Sequence, residues 1–363
     1  MNFVKKVILL LIFCFSIVKI PVLAQEVEIK SFEGKVSRII EEKKIEIEGQ
    51  SQLYQEIEIE ISKGEEKGNK VVIENGQYPL ANVVEYKKGD RVIISQEIDF
   101  EGNSFFIIND FIRRDSLLYL FLIFIVLTII IARWRGLSSL LGMVFTFGVL
   151  MLFVLPQILK GVNPLLITVI AVVIIIPISF YLAHGINKKT TVSVIGSIVA
   201  LLITTMLAFG FIGLGKLTGL SSEEAGMLMI NQGNIDMRGL LLAGIMIGSL
   251  GILDDISISQ AAIVEKLIKN SKNEIKKKEV YKEAMDIGRD HISSMVNTLV
   301  LAYAGASLPL LLIFTNSGHP FLEVINYEFL AEEIIRTLVG SIGLIMAVPI
   351  TTLIAVNWIK KNK

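Results

Sequence analysis

The spacing of apolar and polar residues changes once along this chain, near Arg113. From Glu26 to about Arg113 the alternation is every second residue, most plainly at Ile45-Glu46-Ile47-Glu48 and Glu56-Ile57-Glu58-Ile59-Glu60-Ile61. That is the pattern of half-buried strands. Turn chemistry interrupts it at Glu48-Gly49-Gln50, Lys63-Gly64-Glu65, Asn75-Gly76 and Lys88-Gly89-Asp90. The expectation over residues 25–113 is a compact meander of about five or six strands, a small all-β barrel or sandwich.

After Arg113-Arg114-Asp115 the period changes to continuous apolar runs, each near the ~20 residues that a bilayer demands. They run approximately from Leu117 to Ala132, Leu137 to Leu155, Leu165 to Ala183, Val192 to Ile212, Gly239 to Ile258, Ile292 to Phe314 and Ile334 to Trp358. The expected architecture over residues 114–363 is therefore a polytopic α-helical membrane bundle of about seven spans. Pro177 and Pro349 fall inside spans, where neighbouring helices satisfy the carbonyls they free. A further apolar run, Val7 to Val18, follows Lys5-Lys6 and precedes Val22-Leu23-Ala24. Residues 1–24 read as a signal peptide, with an uncleaved signal anchor as the alternative.

Composition agrees with the pattern: 53% of residues are hydrophobic and the mean hydropathy is +0.64, too apolar for a soluble chain of this length. The formal net charge is +0, which gives no footprint for nucleic acid. What matters is where the cations fall. Arg133-Trp134-Arg135, Asn187-Lys188-Lys189, the charged loop at about 266–290 and the tail Lys360-Lys361-Asn362-Lys363 all lie on one side of a seven-span bundle. By the positive-inside rule that side is the cytoplasm, which puts the chain in a cell membrane with the β domain extracytoplasmic and the C-terminus cytoplasmic. The charged loop, with Lys276-Lys277-Lys278, reads as a solvated helical hairpin at the headgroups. Glu dominates the polar face of the β domain, without a basic stripe or aromatic platform. A cap, or a docking module for another membrane or envelope protein, fits it better than an oligonucleotide binder.

Two acids stand inside the fifth run, Asp254 and Asp255, and an intramembrane acid is a functional hypothesis by default. At 3.6 residues per turn Asp255 shares a face with Gly244, Gly248, Gly251 and Ser259, whereas Asp254 aligns with Ile247, Leu250 and Ile258. The glycines predict that another helix packs on this face and buries Asp255, leaving Asp254 to reach the headgroups. The sixth run opens with Arg289-Asp290-His291, and Asp290, Ser294 and Asn297 form a polar stripe from which Asn297 could donate to Asp255. In the seventh, Arg336 tops a small-residue groove of Gly340 and Gly343, with Glu332 as its local partner. The pathway candidates are thus Asp255, Ser259, Arg289, Asp290, Ser294, Asn297 and Arg336, and the packing candidates are the five glycines. The single cysteine, Cys14, and the three histidines give no metal cluster, and no phosphate-binding loop or other cofactor motif is present.

These segments carry a resemblance. GSLGILDDISISQAA and IGRDHISSMVNTLVLAYAGASLPLLLIF resemble the acid-bearing span and the following segment of the YibE/F-like family of bacterial membrane proteins. In that pattern Asp255, Arg289, Asp290 and Asn297 occupy matching positions, and Asp254 stands where the family has an apolar residue. The resemblance implies a β-rich leading part followed by a helical bundle, and no substrate. Three classes of function remain. The first is a permease or its membrane subunit, moving a small ion or solute past Asp255, although no clear inverted repeat meets the eye. The second is a scaffold or accessory protein for envelope assembly or secretion. The third is an intramembrane aspartyl protease pairing Asp255 with Asp290.

Overall fold

The computed structural model describes residues 30–64, 66–79, 83–98, 104–271, 276–316 and 318–359. The signal segment expected at residues 1–24 and the basic tail at residues 360–363 lie outside them. Among the described residues the β unit takes in 30–127 and the helical unit 128–359.

Five antiparallel strands form one sheet: β1 (Lys30–Ile47), β2 (Gln50–Lys63), β3 (Lys70–Asn75), β4 (Arg91–Ile98) and β5 (Ser104–Phe111). Their order is β3-β2-β1-β4-β5. This corrects the expected meander, because β1 stands in the middle. Lys30 to Lys35 pair with β4 while Glu33 to Ile47 pair with β2. A strand of 18 residues is long enough to serve both neighbours, and bulges at Glu33/Gly34, Val36/Arg38 and Ile39/Glu41 bend it between them. At the bend the Ile59 side chain occupies the place that a Cβ on Gly34 would need. The inner face buries Val36, Ile57, Ile59, Ile61, Ile73, Val92 and Ile94, as the alternation requires. Gln55 is also buried. Its amide donates to the Tyr86 carbonyl at 3.0 Å and its oxygen accepts from the Tyr86 N–H at 2.9 Å, anchoring a strandless segment to β2.

Ion pairs lock the rim of the sheet. Glu33 accepts two hydrogen bonds from Arg114 at 2.5 and 2.6 Å, and Arg91 pairs with Asp115. Glu58 is held by Lys70 at 3.1 Å and Arg38 at 3.0 Å.

The bundle begins in α1 (Arg114–Val149), continues through a π-helical turn at Leu150–Val154 and ends its first apolar stretch in α2 (Leu155–Leu159). That stretch is 46 residues, about 70 Å at the ordinary rise, more than twice a bilayer core. It is not continuous. Arg133 is non-helical at φ 52°, ψ −133°. The Thr128 carbonyl oxygen lies against the place of a Cβ on Gly136, whereas eight residues of unbroken helix would separate them by about 12 Å. There follow α3 (Pro164–His184), α4 (Lys188–Leu214), α5 (Glu223–Asn231), α6 (Met237–Asn270), α7 (Lys277–Ala306), α8 (Leu308–Thr315), α9 (Phe321–Val324) and α10 (Glu328–Trp358). Among the described residues five helices are long and apolar enough to cross a membrane.

One further expectation needs correction. The sixth run is not one straight helix, since α7 and α8 meet at a 69° bend. Pro309, in the first turn of α8, has no N–H with which to continue α7. Most of the charged stretch at 266–290 is helical, because α6 runs on to Asn270 and α7 starts at Lys277.

The core of the bundle is α4, α6 and α10. Thr351 fills the space above Gly196, and Thr204 fills the space above Gly343, so α4 and α10 run antiparallel with their backbones close at two levels. Substituting Gly343→Leu is expected to cost about 1–3 kcal/mol through overpacking, whereas Gly244→Ala, with nothing within 4 Å of the new Cβ, is expected to be neutral. Thermal unfolding in detergent compares them.

Acid should act on the sheet. The hydrogen bond from Lys70, and then that from Arg38, hold the Glu58 carboxyl below its usual range, as Arg114 does for Glu33. A folded-state value below the unfolded one stabilises the fold above the ordinary carboxylate range, and that contribution is lost as pH falls through the folded value. Glu58→Gln is therefore expected to flatten the acid limb of the stability profile of the β domain, followed by circular dichroism.

Candidate functional site

Helix α6 starts where Asp236 caps it, accepting from the Gly239 N–H at 3.0 Å. One face of it is buried and carries Ser249, Leu253, Ser257, Gln260, Ala261 and Val264. The opposite face carries Gly244, Gly248, Gly251 and Asp255, all exposed. Both faces contain polar residues, but their partners differ.

On the buried face short side chains join α6 to its neighbours. Ser193 of α4 donates to the Ser257 carbonyl at 3.2 Å and Ser197 to the Leu253 carbonyl at 3.1 Å. Thr351 of α10 lies 3.4 Å from the Ser257 hydroxyl. Gln260, with no exposed surface, donates to the Ala284 carbonyl of α7 and to Thr352 of α10, each at 2.8 Å. Gly288 of α7 packs against that amide and against Val348. Sequence reasoning passed over this seam. Its signal was present in the spacings Ser193/Ser197 and Ser257/Gln260, which put polar groups on one helical face.

The open face differs from expectation. Among the described residues nothing comes within 4 Å of a Cβ at Gly244 or Gly251, and Gly248 meets only the Tyr303 hydroxyl at 3.4 Å. Among the described residues nothing therefore buries Asp255, and Asp254 is the less exposed of the pair. The physical reason is the seam, which commits α6 to α4 and α10 through the other side. On α10 a Cβ at Gly340 would lie 3.7 Å from the Ser249 hydroxyl, and Gly343 receives Thr204.

Helix α7 runs antiparallel beside α6, with Tyr303 at the level of Gly248 and Ala284 at the level of Gln260. Asp255 falls between these levels, alongside the turns of α7 that carry Asp290 and Ser294. Asp290, Ser294 and Asn297 are exposed and Ser259 is partly so. Among the described residues no hydrogen bond joins Asn297 to Asp255. Arg289 pairs with Asp286 at 2.5 Å instead. His184, at the end of α3, stands within electrostatic reach of Asp255, Lys189 and Arg135. It is a titratable neighbour that helical spacing within α6 and α7 does not reveal, because it comes from another helix.

Arg336 is elsewhere. Its neighbours Ile335 and Val339 pack with Leu241, Leu242 and Ile245, so it sits by the start of α6, about 20 Å along that helix from Asp255. It pairs with Glu333 at 3.1 Å rather than with the expected Glu332. Glu332 is buried, and Glu328 accepts from Thr218 and Gly219, tying the loop after α4 to the first turns of α10. Among the described residues no group of three His, Cys, Asp or Glu stands together as a metal ligand set.

An antiparallel sheet ahead of several apolar helices, with polar groups gathered on both faces of one of them, defines a multi-pass membrane protein with an N-terminal β unit. Residues 120–361 match the family model described as YibE/F-like protein, and the chain belongs to that family. No curated protein and no solved structure matches it.

Gln260→Ala is expected to lower stability by about 1–3 kcal/mol, because it leaves the Thr352 hydroxyl and the Ala284 carbonyl without their donor in a buried site. Ser259→Ala, on the partly open face, is expected to change stability little. Detergent melting curves and the rate of tryptic cleavage between Lys276 and Lys282 compare the two.

Proposed function

We propose that this protein is a permease, or the membrane subunit of one, and that a small ion or solute passes along the face shared by α6 and α7. Asp255 is the principal group of that route, with Ser259, Asp290, Ser294 and Asn297 beside it. The observation that carries the reading is the exposure of Asp255 on an apolar helix, with Asp290, Ser294 and Asn297 exposed on α7 and Ser259 half-buried. A charged side chain at the centre of a membrane helix costs about 3 kcal/mol on insertion scales, so such a face turns toward water or toward another subunit rather than toward lipid. His184 adds a further titratable group at the same end. In this reading the break at Arg133 divides the 46-residue stretch into two spans, the total is seven, and the basic residues at 133–135, 188–189 and 266–289 face the cytoplasm with the β domain outside.

A second reading, a scaffold for envelope assembly or secretion, is favoured by one feature of the β domain. Between β3 and β5, the two edges of the sheet, lies a cleft of about 770 Å³. Ile98, Phe105 and Tyr78 line it, with Glu74 and Glu97 and without Lys or Arg. Free strand edges beside an apolar floor are what an added peptide strand uses.

Flux in reconstituted vesicles separates the readings. Asp255→Asn is expected to lower proton or cation flux at least about tenfold, the effect of ~1.4 kcal/mol, while Asp254→Asn retains it and both variants insert normally. Equal tolerance of the two changes would sink the pathway. Recovery of a stable crosslinked partner through residues 25–113, with no flux above empty vesicles, would establish the scaffold instead.

A further inference from the structure

The two close contacts between α4 and α10 are reciprocal. Gly196 of α4 receives Thr351 of α10, and Gly343 of α10 receives Thr204 of α4. Each helix offers a glycine and, two turns later, a threonine, and in antiparallel register each fits the other. The sequences explain why. Gly196, Ile198, Ala200, Ile203, Thr204 and Thr205 stand at the same spacing as Gly343, Ile345, Ala347, Ile350, Thr351 and Thr352.

A second match lies upstream in the same order. Arg135-Gly136-Leu137, Met143, Gly148 and Leu150 have the spacing of Arg238-Gly239-Leu240, Met246, Gly251 and Leu253. The structure supports this equivalence independently of residue identity. Gly136 comes three residues after the non-helical Arg133, and Gly239 three residues after the cap Asp236, so each triplet opens a helix after a break in the chain. On the same alignment the π-helical turn Leu150–Val154 falls at Leu253 to Ser257, the turn that holds Asp254 and Asp255. Irregular turns of this kind concentrate at functional sites.

We infer that residues 134–214 and 237–358 are two inverted copies of one three-span unit, and that the protein works as an alternating-access carrier in which the α4–α10 contact is the pivot. Three spans per copy is an odd number, so the copies enter the membrane from opposite sides, as antiparallel α4 and α10 require. Two copies of one unit in different shapes provide two states of equal architecture, reached when each adopts the other's shape. Here the copies do differ in shape. The middle helix of the first, α3, is one continuous helix of 21 residues with Pro177 inside it, while that of the second is broken by a 69° bend between α7 and α8. The acids occur in the second copy alone, opposite Met151 and Leu152, so there is one site that faces each side in turn and not two.

This inference rests on the permease reading for its cargo but not for its geometry, and the two can fail separately. The full chain with Cys14 replaced, carrying Lys160→Cys or Asn270→Cys in the exposed first connection of each copy, is labelled with a membrane-impermeant maleimide in sealed right-side-out and inverted vesicles. The expected result is labelling from opposite sides; labelling of both from one side overturns the inverted repeat, whatever the flux of Asp255→Asn. Gly244→Cys and Ser259→Cys, near the two ends of the open face, then test alternation under an imposed pH gradient. Reversing the gradient is expected to change their labelling rates in opposite senses by about tenfold. Rates that rise and fall together, or do not respond, overturn the carrier and leave a channel or a scaffold.

Discussion

Hydrocarbon offers a helix no hydrogen bonds and no advantage in hiding leucine, so a membrane bundle coheres where backbones can approach. In this protein that approach is concentrated where α4 crosses α10, with threonine methyls and hydroxyls seated over glycines. The rest of the bundle follows from it. Once α4 and α10 are joined, the hydroxyls of Ser193, Ser197 and Thr351 form a strip to which only one face of α6 is complementary, and Gln260 extends the strip to α7. The orientation of α6 about its own axis is thereby set, and with it the direction of its acids.

The two polar faces of α6 show how similar residues come to have different roles. Ser257 and Gln260 are spent on neighbouring carbonyls and hydroxyls, which matches the Gln260 N–H donors and leaves its side-chain oxygen without a partner among the described residues. Asp255 and Ser259, about 100–160° round the helix from them, have no described helix laid over them, Asp255 being exposed and Ser259 half-buried. Exposure to hydrocarbon would be the expensive outcome for such a face, and that expense makes it informative. The same reasoning applies at the start of α10, where Glu328 is taken up by the Thr218–Gly219 backbone while, among the described residues, Glu332 and Arg336 each retain an unmatched buried atom.

Much of this was legible in the order of residues. The change from period two to continuous apolar runs located both units, and the alternation at 56–61 named the buried isoleucines of the sheet. The strand order was not legible, because nothing local tells that the 18 residues of β1 serve two neighbours and not one. Helical spacing correctly put Asp255 with the glycines, yet it could not say whether a glycine face is occupied. Gly244 and Gly343 look alike in sequence, and only the second meets a threonine from a helix more than a hundred residues away. The bend at Pro309 was readable in principle, since proline ends helices, but Pro177 and Pro349 lie in unbroken ones. Context, supplied by the neighbours, decided each case.

One small contact bears on how the bundle is made. Asn163 caps α3 through the Leu166 N–H and also donates at 3.3 Å to Asp236, which caps α6, so the starts of two helices share one polar link. The partners are 73 residues apart. The cap of α3 needs only its own Leu166 N–H, but the link to Asp236 can close only once α4 and the connection beyond it have been made. A contact local in space is in this way one of the late ones in synthesis, joining the first part of the bundle to the second.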